Sequence, residues 1–72
     1  MEHIHIETEF IRLDAAMKLS GLVDTGGQAK VLIQEGRVQV NGEVCAMRGK
    51  KLTPGDTVSL LGESFQVAAA QG

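Results

Sequence analysis

Five of the chain's seven lysines and arginines lie between Lys30 and Lys51, in a spacing suited to holding phosphates. Lys30, Arg37, Arg48, Lys50 and Lys51 meet only Glu35 and Glu43 in that stretch. Such cations attract a polyanion by Coulomb forces and by releasing its condensed counterions. The residues before Thr25 carry the opposite balance, with Arg12 and Lys18 against Glu2, Glu7, Glu9, Asp14 and Asp24. A formal net charge of −2 therefore conceals a local basic segment. Screening beyond about 8–10 Å at cellular salt keeps distant acids from cancelling it.

Other chemistries find less support. His3, His5 and Glu7 alternate along one strand face, but with no further His or Cys beside them they read as an exposed face and not a metal site. Gly26-Gly27 lacks the Gly-Lys-Ser/Thr ending of a nucleotide phosphate loop. Cys45 stands without a motif partner and reads as a small apolar strand residue. As the sole cysteine it cannot close an internal disulfide, which suits a reducing cytoplasmic setting. No nucleophile, base and orienting group fall into a recognisable spacing, so neither catalysis, a cofactor nor a small-molecule substrate is expected. With no Trp or Tyr and only two Phe, base stacking on aromatic platforms is disfavoured as a binding mode.

The elements that must position the cations are well punctuated. Seventy-two residues make one domain, and a chain this short buries only about 60% of its extended surface, so a docking surface is expected in place of a deep pocket. Apolar runs fall far short of the roughly 20 residues of a membrane helix, and no leader pattern is visible. Ile4 and Ile6 alternate with polar neighbours, a strand signal. A first helix follows with Leu13, Ala16, Met17 and Ser20 on one face, Gly21 as its C-terminal cap, and Asp14 and Lys18 spaced to pair. Thr25 and Gln28 form a capping-box pattern opening a second helix over 26–35, with Ala29, Leu32 and Ile33 inward. Gly27, Lys30 and Gln34 line its outward stripe. Asn41-Gly42 marks a hairpin, and Thr53-Pro54-Gly55-Asp56 a second turn that Asp56 caps. Short strands are expected over 57–61 and 64–67, and a frayed tail over 68–72. The class is α+β: two packed helices followed by a β-hairpin and short strands, with an N-terminal strand.

Arg12-Leu13-Asp14, Ala29-Lys30, Leu32-Ile33, the run Glu35-Gly36-Arg37-Val38-Gln39-Val40-Asn41-Gly42 and the later Pro54-Gly55-Asp56 together resemble the S-four RNA-binding domain. The match covers residues 10 to about 60. Gly26 to Lys30, Asn41-Gly42-Glu43 and Arg48 to Leu52 are similar to its small stand-alone bacterial members, the YbcJ-like type. The resemblance implies a module that contacts structured, ribosomal RNA through helix two, the strand after it and the loop beyond; the small size favours a monomer. The residues it implies are Lys30, Gln34, Arg37, Arg48, Lys50 and Lys51, with Arg12 from helix one. Where many members carry Ser-Arg, this chain has Gly26-Gly27, and Gly27 is expected to let a phosphate approach the helix N-terminus. Two other classes fit parts of the chain. A β-grasp sulfur carrier shares the hairpin and the late Gly-Asp but needs a Gly-Gly end, where this chain closes on Gln71-Gly72. A protein-interaction module would use the acidic N-terminal third.

Overall fold

The computed structural model describes residues 2–70. Its elements are β1 (Glu2–Ile6), β2 (Ile11–Arg12), α1 (Leu13–Ser20), α2 (Gly26–Gln34), β3 (Val38–Val40), β4 (Glu43–Val44), β5 (Lys51–Leu52), β6 (Thr57–Leu60) and β7 (Glu63–Ala69). Five strands form one sheet in the order β1-β7-β6-β3-β4, and β2 and β5 form a separate ribbon. Both helices cover one face of the larger sheet. Leu13, Ala16 and Met17 of α1 and Ala29 and Ile33 of α2 meet Ile4, Val38, Val58, Phe65 and Val67, all buried. Every fully buried side chain among the described residues is apolar, so burial stabilises the fold without desolvating charge.

The alternation at the N-terminus does produce a strand, with Ile4 and Ile6 inward and His3 and His5 outward. Its partner lies far away in sequence: β1 runs parallel to β7, with Ile4 opposite Val67 and His5 opposite Ala68. This pairing corrects the expectation of a frayed tail from Ala68 onward. Ala68 and Ala69 belong to β7, and Ala70 N–H donates to the Ile6 carbonyl at 2.8 Å. Of that expected tail, 71 and 72 lie outside the described residues.

Smaller corrections follow from packing. Ser20 is half-buried, and its hydroxyl donates to the Met17 carbonyl and accepts from Leu22 N–H, so it finishes α1 and leaves the apolar face to others. Leu32 is also only half-buried. α2 ends at Gln34 with Glu35 as its C-cap, a boundary within the usual scatter. Cys45 falls just beyond β4, where its thiol donates to the Met47 carbonyl at 3.6 Å. The β6–β7 turn is centred on Leu61 and Gly62, with φ of 51° and 82°.

Candidate nucleic-acid interface

The β2–β5 ribbon places two cations side by side. Arg12 pairs with Lys51 and Ile11 with Leu52; Leu52 is buried, so Arg12 and Lys51 point the other way, to solvent. The loop before β5 is then fastened to the start of α1. Leu13 N–H donates to the Lys50 carbonyl at 2.9 Å, and Asp14 N–H to the Arg48 carbonyl at 3.1 Å. A helix leaves its first N–H groups without internal partners, and here the loop backbone takes up two of them. The side chains of Arg48 and Lys50 stay exposed.

Arg12 occupies the N-cap of α1 but makes no capping bond. Its guanidinium donates to Asp14 Oδ2 at 3.2 Å and lies over Gly49, where an added Cβ would stand 3.7 Å from Nη2. Asp14 thus pairs with Arg12, not with Lys18 as its helical spacing suggests. Lys18 instead shares a shallow groove with Arg12, Asp14, Ala15 and Gly26 at the start of α2. From sequence alone Lys18 reads as half of a local helix pair. Arg12, Arg48, Lys50 and Lys51 are brought together, and Lys18 belongs beside them.

α2 is anchored as its sequence indicates. Thr25 Oγ1 accepts from Gln28 N–H at 3.2 Å, and Gln28 Oε1 accepts from the N–H of Thr25 at 3.3 Å and of Asp24 at 2.7 Å. Gly26 and Gly27 face different ways: Gly26 opens onto the groove with Arg12 and Lys18, whereas Gly27 lines a broader groove with Leu22, Gln28, Val31 and Leu32. Neither glycine has a positive φ. An added Cβ would meet nothing within 4 Å at Gly26 and only Thr25 Oγ1, at 3.7 Å, at Gly27. Backbone geometry therefore does not demand glycine at either position.

Lys30 and Gln34 are exposed along α2. Arg37 enters β3 after Gly36, which turns the chain at φ +76°. The Arg37 guanidinium donates to Glu35 Oε1 at 3.0 Å. Both partners are about half exposed, at 54% and 51%, and such a pair contributes at most about 1 kcal/mol, so a stronger anion can displace Glu35. No hydrogen bond or ion pair among the described residues joins this row to the Arg12 cluster.

The Asn41-Gly42 and Pro54-Gly55-Asp56 signatures have a structural role. Asn41, at φ 52°, donates from Nδ2 to Asp56 Oδ1 at 3.0 Å and accepts at Oδ1 from Thr57 N–H at 2.9 Å. Asp56 Oδ2 also accepts from Thr53 N–H at 2.9 Å. That backbone donor, then Asn41, holds the Asp56 carboxyl below the usual carboxylate range. The hairpin and the later turn are thus locked to each other, which accounts for the features that suggested a β-grasp protein.

The chain can be set beside known proteins on this basis. The putative RNA-binding protein YbcJ of Escherichia coli K12 is 41% identical over 68 residues, 94% of this chain and 90% of its own length. The probable ribosome maturation protein RlbA of Bacillus subtilis strain 168 is 45% identical over 65 residues, 89% of this chain and 92% of its own. The solution structure of YbcJ, described as revealing an ALFAL motif involved in RNA-binding, matches with a TM-score of 0.75 at 37% identity, covering 96% of this chain and 89% of that one. The S4 domain model matches residues 4–68, nearly the whole chain, and the chain belongs to the S4 domain family.

Proposed function

We propose that this protein binds structured ribosomal RNA in the cytoplasm, as a monomer, and takes part in ribosome maturation. The observation that carries the reading is the convergence of Arg12, Arg48, Lys50 and Lys51 on the backbone-fastened start of α1. The relatives' names support it, one as a putative RNA-binding protein and one as a probable ribosome maturation protein. Gly27, Lys30, Gln34 and Arg37, exposed along α2 and just before β3, are assigned to the same RNA as a second row of contacts. Cations on a rigid ribbon and helix follow the shape and phosphates of folded RNA, without needing to read base edges.

Co-sedimentation with ribosomal particles, and RNA affinity measured across a salt series, test this. With three or four phosphates engaged, log affinity should fall against log salt with a slope of roughly −2 to −4. Lys30→Glu with Arg37→Glu should abolish co-sedimentation. Lys50→Ala with Lys51→Ala should weaken binding and leave the melting temperature nearly unchanged. Affinity that ignores salt, or survives both double variants, would remove the proposal.

A further inference from the structure

We infer that Phe10 is a stacking platform for one unpaired base of the bound RNA, and that Lys51 shields its ring until the base arrives. The inference rests on the RNA-binding reading above and names the class of RNA that this surface selects. Phe10 is 42% exposed, whereas the chain's other aromatic, Phe65, is 1% exposed and central to the core. Phe10 is also absent from the apolar side chains packed around that core. Phe10 is therefore not a core residue, and part of its ring stays open to a partner.

Its surroundings are those of the basic cluster. Phe10 immediately precedes β2, two residues from Arg12, and so falls on the Arg12 side of the ribbon, opposite Ile11. The Lys51 ammonium stands 4.8 Å from the ring centroid, and Lys51 is the cross-strand partner of Arg12. A cation held over a ring face at an exposed site is a weak contact. A nucleobase stacked on the same face is a stronger one. The four-carbon lysine stem allows the exchange: the base takes the ring, and the ammonium swings to the phosphate of the same nucleotide. Each partner finds a better contact than the one it leaves.

Bases inside an A-form helix are already stacked on their neighbours and cannot reach the ring. A bulged or loop nucleotide can. The surface would thus prefer folded RNA in which an unpaired nucleotide lies beside a helical backbone. The low aromatic count disfavours stacking as a general mode, but a single aromatic beside Lys51 and two residues from Arg12 is enough for one base.

The chain contains no tryptophan, so Phe10→Trp introduces one fluorophore at the site. The variant is titrated with a short RNA hairpin carrying one unpaired nucleotide and with its fully paired counterpart. Expected are saturable quenching of the indole by the first RNA and little by the second, although both bind. Phe10→Leu should weaken the hairpin with the unpaired nucleotide roughly five- to twenty-fold and leave the paired one unchanged. Binding of both hairpins with no quenching, or with no loss in Phe10→Leu, would overturn the stacking role while leaving RNA binding intact. If the wild-type protein bound neither hairpin nor ribosomal particles, the underlying reading would fall with it.

Discussion

Replacing either glycine at the start of α2 with alanine should make the protein more stable. Glycine is among the least favourable helix residues because it surrenders the most backbone freedom on folding. Neither Gly26 nor Gly27 has a positive φ, and an added methyl has space at both. Under those conditions Gly→Ala stabilises by about 0.4–1 kcal/mol, mainly by restricting the unfolded chain. For 72 residues, an unfolding entropy near 2.1 cal/mol/K per residue converts this to a rise in Tm of roughly 3–7 °C. Circular dichroism melts of the single variants measure it directly. Affinity for RNA then locates the anion. A phosphate between Arg12, Lys18 and the helix start is crowded by Gly26→Ala, and one on the other side of the helix by Gly27→Ala. A lower Tm in both variants would refute the conformational argument. A higher Tm with undiminished affinity in both would refute close backbone approach as the reason glycine is kept here.

Two further perturbations address the frame that holds the surface. Asp56→Ala removes the acceptor of Thr53 N–H and Asn41 Nδ2, costing about 1–2 kcal/mol at neutral pH, toward the lower end because the group is partly solvated. The lowered native pKa of Asp56 means its contribution is complete above the ordinary carboxylate pKa and is lost as pH falls through the native value. Urea unfolding at pH 7 and near pH 3 should therefore show the gap between wild type and variant narrowing in acid; an unchanged gap would sink the argument. Leu61 holds φ 51° while 70% exposed, a conformation that costs a leucine about 1 kcal/mol and suits asparagine. Leu61→Asn should raise the urea midpoint, and a fall would show that Leu61 packs usefully after all.

What the sequence made legible is what local chemistry decides. The capping box at Thr25 and Gln28, the positive-φ turn at Asn41-Gly42 and the Asp56 cap involve residues within a few positions of each other, and all form as read. The β2–β5 ribbon was invisible because a two-residue strand has no periodicity to detect, and its partner lies about forty residues away. The continuation of β7 through Ala69 was missed for a related reason. Small residues with no turn signal resemble a tail, and only the parallel partner β1 makes them a strand. Charge alone marks the basic positions but not their grouping: Arg12 faces Lys51 across the ribbon, and the Arg48 and Lys50 carbonyls are tied to Asp14 and Leu13 N–H, bonds that leave no mark in the sequence.

The parallel pairing of β1 with β7 has a temporal consequence during synthesis. β1 is translated before every other element, and its strand partner after all of them. The elements that gather the cations lie between residues 10 and 52, whereas the core lacks Phe65 and Val67 until the last strand emerges. A nascent chain thus holds a strand edge and two helices waiting for a cover that arrives only at the end, the kind of non-local closure that slows folding and exposes apolar surface in the interval.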